Sequence, residues 1–429
     1  MNGAGNQPTR VGVDHLGPVI ATVRWVGLGS LVGVLAGLSS AAFLEMLDWV
    51  TDTRVEQPWL LWLLPLAGFA IGLVYHFGAG AAAGGNGLLL DEIHEHKAWV
   101  PRRMAPLVLG STLVTHLFGG SAGREGTAIQ MSGSLSDNLV SRTARFTGVD
   151  RRLVLTAAVA GAFGAVFGVP IAGCIFALEV PTAGRVRHDA LVPALTAAVV
   201  GDQVVRWLDV EHTPFPVVGA VDLTFALTAK MLIVGVAFGL AARVFIGALH
   251  ACKRLFQRLI VWPPFRPLVG GALVVALTYA IDTRDYLGLS LPLMIDSFGV
   301  GTAEVVGVAT FAFAWKLVFT VITLGSGFQG GEVTPLFVIG ATLGATVGHA
   351  LDAPVALFAA MGVVAVFAGA TNTPIACTVM GVELFGAAII VPLAIGCVLA
   401  YLLSGDGGIY SGQRVAPGIL QRPQRVRGG

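Results

Sequence analysis

The chain has 429 residues, of which 55% are hydrophobic and 12% are charged, and its formal net charge is +1. Soluble domains carry about 25% charged residues, so this chain has too few polar side chains to cover a water-exposed surface. The composition excludes a soluble globular protein, and the near-neutral charge gives no reason to expect nucleic acid as a partner. The sequence therefore predicts an all-α, polytopic membrane protein that sits in a lipid bilayer.

The apolar segments are uneven in length along the chain. They lie at about 25–46, 59–77, 105–119, 153–180, 189–204, 222–250, 267–281, 305–324, 335–351, 354–370 and 375–403. A helix that spans a membrane needs about 20 apolar residues. Several of these segments are shorter or are interrupted by Gly and Pro, as 153–180 is by Pro170. They predict broken helices, which in transporters surround a binding site.

Two motifs recur in the two halves of the sequence. Gly123-Arg124-Glu125-Gly126-Thr127 aligns with Gly330-Gly331-Glu332-Val333-Thr334, and Pro170-Ile171-Ala172 aligns with Pro374-Ile375-Ala376. Glu179 and Glu383 keep the same separation as the two prolines. Glycine-rich apolar sequence matches itself easily by chance, but agreement at two separate places, each with a glutamate, favours two homologous halves.

The loops of the two halves differ in charge. Arg142, Arg145, Arg151 and Arg152 follow the first glycine motif, whereas the corresponding stretch at 346–354 has neither Lys nor Arg. Because basic loops remain in the cytoplasm, the two repeats are predicted to have inverted topology. Both terminal segments are basic, which predicts that both termini are cytoplasmic.

These observations predict the following organisation: a cytoplasmic N-terminal segment 1–20, a first membrane repeat 21–205, a linker 206–221, a second membrane repeat 222–412 and a cytoplasmic tail 413–429.

Glu125 is the first candidate for a functional residue. It lies in a glycine-rich turn with Gly123, Arg124 and Gly126 that opens an apolar segment. Backbone N–H groups at such a helix start bind anions. An ionised Glu125 can occupy this anion site and a protonated one can leave it, which would couple a proton to an anion by competition. The alternative is a structural glutamate that caps its helix, but intramembrane acids are usually functional.

The second glycine turn repeats this pattern at Gly331, Glu332 and Val333, with Pro335 suited to the first helical turn. Its N–H groups are predicted to face the first turn across the repeat axis. Glu332 would be a second acid at the same depth, and two nearby acids leave one of them protonated. The alternative is that Glu332 forms an ion pair with Lys316.

Two further side chains are candidates for the same site. Asn86 lies in the run Gly84-Gly85-Asn86-Gly87, which has no βα context for a nucleotide loop. Its amide could donate to an anion, or it is simply a loop residue. Tyr410 follows a glycine turn after the last span and can donate one hydrogen bond inward, although tyrosines are also common at membrane interfaces.

A polar cluster follows the second apolar segment. It contains Glu92, His94, Glu95 and His96, and it is followed by Lys97, Arg102 and Arg103. A metal site is one interpretation, but a solvated cytoplasmic loop is favoured. The sequence predicts no metal and no cofactor. It also predicts no enzyme, because no span carries a nucleophile–base pair or an HExxH run.

Together these motifs resemble the CLC family of chloride channels and proton-coupled antiporters over about 20–412. Gly-Arg-Glu-Gly at 123–126 resembles that family's gating-glutamate motif, residues 330–335 resemble its second selectivity turn, and Tyr410 resembles its central tyrosine. The resemblance implies two inverted-topology repeats with broken helices and a homodimer with one anion pathway per subunit. It also implies that Glu125 is the proton-coupled gate.

Departures from the common pattern are similar to the fluoride-transporting bacterial branch of that family. Asn86 stands in place of a selectivity serine, Glu332-Val333 changes the usual Gly-x-Phe-x-Pro, and Thr127 replaces a proline. The resemblance implies a fluoride/proton antiporter that exports fluoride across the bacterial inner membrane. A chloride/proton antiporter or a passive anion channel is the alternative. Val180 stands where chloride antiporters have a second acid, so Glu332 is expected to take over part of the proton path.

Overall fold

The computed structural model describes residues 16–95, 98–147, 150–299, 310–405 and 407–416, with the side chains of these ranges except 16–21 and 142–147. The first half contains α1 Leu16–Glu56, α2 Leu64–Val74, α3 Gly85–His94, α4 Met104–Leu117, α5 Glu125–Thr147, α6 Arg151–Phe167, α7 Pro170–Glu179 and α8 Leu191–Trp207. The second half contains α9 Phe225–Leu259, α10 Phe265–Ala280, α11 Leu291–Asp296, α12 Ala312–Ser326, α13 Val333–Ala350, α14 Val355–Thr371, α15 Pro374–Phe385 and α16 Ile390–Ser404. Two short strands, β1 Thr182–Ala183 and β2 Arg414–Val415, pair in parallel.

Five helical stretches of the described chain are long and apolar enough to cross a membrane. They are Thr22–Glu56, Pro58–His94, Phe225–Leu259, Val333–Ala350 and Ala387–Ser404. The shorter apolar helices, such as α7 and α15, cannot cross it alone. Pro58–His94 changes helix type several times before α3 begins. The broken helices predicted from the uneven apolar segments are confirmed.

The same local signal breaks the chain in both halves. Gly168 adopts a φ of +70° and ends α6, and Pro170 begins α7 two residues later. In the second half Asn372 adopts a φ of +58° and ends α14, and Pro374 begins α15. A left-handed residue stops a helix and a proline starts the next one, so the repeated proline motif marks equivalent breaks.

Helices α7 and α15 cap each other through two glutamates. The Glu179 carboxylate, at the end of α7, accepts hydrogen bonds from the backbone N–H groups of Ile375 (3.2 Å) and Ala376 (2.8 Å). The Glu383 carboxylate, at the end of α15, accepts them from Ile171 (2.9 Å) and Ala172 (2.7 Å). Because the end of each helix meets the start of the other, the two helices are antiparallel. This exchange confirms the two inverted repeats.

Helices α13 and α14 pack with backbone against backbone. A Cβ added to Gly340 would lie 1.9 Å from the carbonyl oxygen of Gly362, and one added to Gly344 would lie 2.1 Å from that of Phe358. Small residues permit such approach in membrane proteins. Between the two halves, buried phenylalanines stack against one another: the ring centroids of Phe176 in α7 and Phe367 in α14 are 5.7 Å apart. The core therefore lies where the repeats meet.

The connection between the halves contains no helix among residues 208–224. Helix α8 continues to Trp207, and α9 begins at Phe225 after Thr224 caps it by accepting from the Leu227 N–H (3.1 Å). Arg206 and Trp207, which the sequence places at the start of the linker, thus belong to α8. This connection reaches the site through Thr213, as described below.

Candidate anion-binding site

The two glycine turns meet in the middle of the molecule. The Gly123 N–H donates to the Gly331 carbonyl (2.6 Å), and the Gly331 N–H donates to the Gly123 carbonyl (2.8 Å). This pair forms an antiparallel bridge between the repeats. Helix α5 begins at Glu125 and α13 at Val333, so the positive ends of two helices converge at this point. The N–H groups of both glycines are used by the bridge.

Glu125 lies fully buried between these turns. One carboxylate oxygen accepts a hydrogen bond from the Thr334 hydroxyl. The other oxygen is buried and has no hydrogen-bond partner among the residues that the structure describes. A Cβ on Gly123 would lie 2.7 Å from this oxygen, and one on Gly331 would lie 2.6 Å from it. Both glycines are therefore required sterically, because a side chain would displace the carboxylate.

Arg124 does not reach into the site with its side chain. Its Nη2 donates to the Thr213 hydroxyl (2.9 Å) in the connection between the halves. Its Nε is buried without a partner in the described part of the chain. Arg124 thus joins the start of α5 to the α8–α9 connection and contributes a fixed positive charge next to Glu125.

Glu332 and Val333 form the start of α13. Val333 is fully buried and is the first residue of the helix, whereas Glu332 precedes it and lines a cavity of about 320 Å³. The Glu332 Oε2 is buried, and no described residue bonds to it. A second acid therefore lies next to the turn that meets Glu125, as the repeat predicts.

Lys316 does not pair with Glu332, so that alternative is wrong. The fully buried ammonium group donates to the carbonyls of Gly288 (2.8 Å) and Tyr286 (3.2 Å) and to the hydroxyls of Ser290 (2.8 Å) and Ser121 (3.0 Å). The loop after α10 supplies three of these oxygens, which the sequence does not reveal. Lys316 instead holds Ser121, at the start of the first turn.

Asn86 and Tyr410 face the same cavity as Glu332. The Asn86 Nδ2 would lie 2.8 Å from a Cβ placed on Gly126, which puts the amide against the start of α5. The Asn86 Oδ1 and the Tyr410 hydroxyl are buried, and within the described ranges neither has a partner. Buried polar groups normally have partners, so unpaired polar atoms at one place indicate a site for an ion, a proton or water.

The segment that carries Tyr410 is held by one amide side chain that the sequence analysis missed. The Gln413 Nε2 donates to the carbonyls of Val180 (2.9 Å) and Thr371 (2.7 Å), and its Oε1 accepts from Asn372 (2.9 Å). Its only sequence signal is its position three residues after the tyrosine. Gln413 fixes the tyrosine segment to the ends of α7 and α14.

The space between Tyr410 and Val180 is apolar. Apart from Asn86 and Tyr410, it is lined by Leu89, Leu90, Ile129, Val159, Phe176 and Val180. These side chains offer no group that binds or passes a proton. A proton that reaches Tyr410 from this side would have to cross hydrocarbon, whereas the larger cavity at Glu332 is polar.

In the polar cluster at the end of α3, Glu92 belongs to a buried ion-pair network, whereas Glu95 is exposed as a solvated loop predicts. Arg151 donates to Asp137 (2.5 Å) and to Glu92 (2.7 Å), which is buried. His94 bonds to the Pro181 carbonyl (2.8 Å), and Glu95 pairs with an arginine of β2. His96 lies outside the described residues. Within the described ranges, no group of three His, Cys, Asp or Glu side chains could hold a metal.

The fold and this site define a helical membrane protein of two inverted repeats whose broken helices meet at a buried carboxylate. The family model for voltage gated chloride channels matches residues 66–405. The chain therefore belongs to this family, the CLC family.

Several relatives are similar over nearly the whole chain. The "Chloride/fluoride channel protein" of Pseudomonas syringae pv. tomato is 45% identical over 95% of this chain and 89% of that protein. An "H(+)/Cl(-) exchange transporter ClcA" from Cronobacter sakazakii is 28% identical over 90% of this chain and 88% of its own length. The crystal structure of a CLC-type fluoride/proton antiporter matches with a TM-score of 0.86 and 33% identity, covering 92% of this chain and 98% of the other.

Proposed function

We propose that this chain is a fluoride/proton antiporter, in which Glu125 exchanges places with the anion. The observation that supports this most directly is the buried Glu125 carboxylate between two helix starts, with one oxygen bonded to Thr334 and the other unpartnered. The Glu125 carboxylate and a small anion compete for the same hydrogen-bond donors at this place. When Glu125 takes a proton it becomes a weaker acceptor, which frees the Thr334 hydroxyl for the anion.

Glu332 supports fluoride over chloride as the substrate. Fluoride is compact and strongly hydrated, so its site must replace the lost water with strong hydrogen-bond donors or supply a proton. A protonated Glu332 would be such a donor beside Asn86 and Tyr410. Two of the similar proteins described above also carry fluoride in their names.

The proton path follows the polar cavity in this proposal. Val180 carries no proton, and the space between it and Tyr410 is apolar. Glu332 lines the polar cavity, and its carboxylate interacts electrostatically with that of Glu125. Protons and fluoride would thus reach Glu125 through the same opening, with no covalent chemistry on either ion.

The same proposal covers the cellular setting and the assembly. Fluoride that enters a bacterium as neutral HF would be exported across the inner membrane by the inward proton gradient, with both termini in the cytoplasm. The chain would form a homodimer through the α7–α15 face, where Ile171 and Ile375 are each 52% exposed on either side of the reciprocal caps. Cross-linking in native membranes tests the dimer, and a monomer alone would contradict it.

The test of the function is proton uptake driven by a fluoride gradient in proteoliposomes. Wild-type protein should move protons into vesicles as fluoride leaves, and Glu125→Gln should abolish proton movement. The second candidate, a chloride/proton antiporter, is favoured by the similarity to a chloride exchanger. Chloride that moves faster than fluoride under matched gradients would reject the fluoride assignment.

A further inference from the structure

The cavity of about 320 Å³ joins the candidate site to one surface of the protein. At its deep end lie Asn86, Glu332 and Tyr410, and at its outer end lie Lys253 and Gln257 of α9 together with Arg266 of α10. An anion that approaches Glu332 from this side passes the α9 side chains first.

Lys253 and Arg266 differ in what their charges already bind. The Arg266 Nε donates to the Ile260 carbonyl (3.0 Å) and its Nη2 to the Val261 carbonyl (3.4 Å), so this guanidinium caps α9. Lys253 is exposed, and its ammonium group has neither a hydrogen bond nor an ion pair with any described residue. Among the cations that line this cavity, Lys253 is therefore the one available to a ligand.

Lys253 is also close to the second glycine turn. Its backbone nitrogen lies 3.5 Å from the position that a Cβ on Gly325 would occupy, so α9 packs directly on the residues that lead into the turn. Its charge acts on the Glu332 carboxylate, which also interacts electrostatically with Glu125 and with the Tyr410 phenol. Among the described residues that line the cavity, Glu332 is the one acid.

We propose that Lys253 is the residue at which the anion loads before it enters the site, and that the anion and the Glu332 carboxylate share its positive charge. This inference rests on the proposed function and adds a binding residue to it. An anion beside Lys253 places negative charge near Glu332 and favours the protonated acid. The protonated acid would then donate a hydrogen bond to the anion as it enters the site.

The test compares Lys253→Gln with Arg254→Gln in proteoliposomes. Arg254 is the next residue on α9, is also exposed and does not line the cavity, so its substitution removes the same charge from the same part of α9. The KM for fluoride is measured with a fluoride electrode at low ionic strength and over a range of pH.

Lys253→Gln should raise the KM for fluoride about threefold to tenfold, which is the scale of one charge a few ångströms away in a wet site. The pH of half-maximal flux should move upward, because Glu332 loses its compensating charge. Both effects should shrink in about 0.5 M salt of an impermeant anion. Lys253→Arg should behave like wild type, and Arg254→Gln should change neither quantity.

Two results would overturn the assignment of Lys253 while leaving the proposed function intact. They are an unchanged KM and pH profile in Lys253→Gln, and an equal change in Arg254→Gln. If wild-type protein transports chloride but no fluoride, the fluoride proposal fails, and the same comparison with chloride as the probe decides the role of Lys253. If neither anion moves, both proposals fail.

Discussion

Substitution of Glu179 by Gln separates a structural role from a role in proton transfer. Each Glu179 oxygen accepts one backbone N–H at the start of α15, at 3.2 Å and 2.8 Å. Gln keeps one acceptor oxygen but places an NH₂ group against the other N–H donor. Because the residue is only 4% exposed, water cannot readily satisfy that donor.

The expected loss follows from these two bonds. Hydrogen bonds to a charged group contribute about 1.5–3 kcal/mol each, and neutral ones about 1 kcal/mol. Gln converts one bond to the neutral kind and removes the other, so we expect a loss of about 2–4 kcal/mol in the free energy of unfolding. Glu383→Gln breaks an equivalent pair of bonds at a half-buried position, where water can replace part of them, and should cost about half as much.

The assay is unfolding in mixed SDS–detergent micelles, followed by tryptophan fluorescence, with Glu56→Gln as a control for the loss of one exposed charge. Proton-to-fluoride coupling is measured on the same proteins and should stay at the wild-type ratio. An unchanged unfolding midpoint in Glu179→Gln would refute the capping argument. A folded Glu179→Gln protein that no longer moves protons would show that this acid is a proton carrier.

Three other substitutions test separate contacts. Gly340→Ala places a methyl group 1.9 Å from the Gly362 carbonyl oxygen, so it should abolish a monodisperse peak on size-exclusion chromatography. The control Gly27→Ala has nothing within 4 Å of its new methyl group and should keep the normal peak. A normal peak for both variants would contradict the close packing of α13 on α14. Lys316→Met leaves four buried oxygens without their donor and should lower the free energy of unfolding by at least about 3 kcal/mol. A variant as stable as wild type would mean that those oxygens find other partners. Tyr410→Phe removes a hydroxyl without a described partner, so stability should change by less than about 0.5 kcal/mol while the KM for fluoride rises; an unchanged KM would remove the tyrosine from the site.

The repeat architecture was accessible to sequence reasoning because it rests on local backbone requirements. The sequence itself shows the proline that begins α7 and the proline that begins α15. It also shows the glycines that let Glu125 approach the opposite turn. Such signals need no knowledge of distant partners. Their recurrence in the two halves predicts equivalent breaks, and the structure places them at equivalent positions.

The partners across the molecule were not accessible in the same way. Thr334 was visible only as part of a motif, and its bond to Glu125 depends on how the two repeats dock. Lys316 is one possible ion-pair partner of Glu332 in the sequence, but carbonyls of the loop after α10 surround it. Gln413 offered only its position three residues after the tyrosine. Each of these contacts joins segments that are far apart in the chain, so a local reading has no signal for them.

The Gly123–Gly331 bridge has a consequence for how the protein is made. Each turn completes its backbone hydrogen bonding with a carbonyl from the other half, so neither half possesses a finished site on its own. During synthesis the turn of the first half therefore lacks its backbone partner until the second half has been inserted. An ancestor of half this length would have needed a second copy of itself, inserted in the opposite orientation, to form an equivalent bridge.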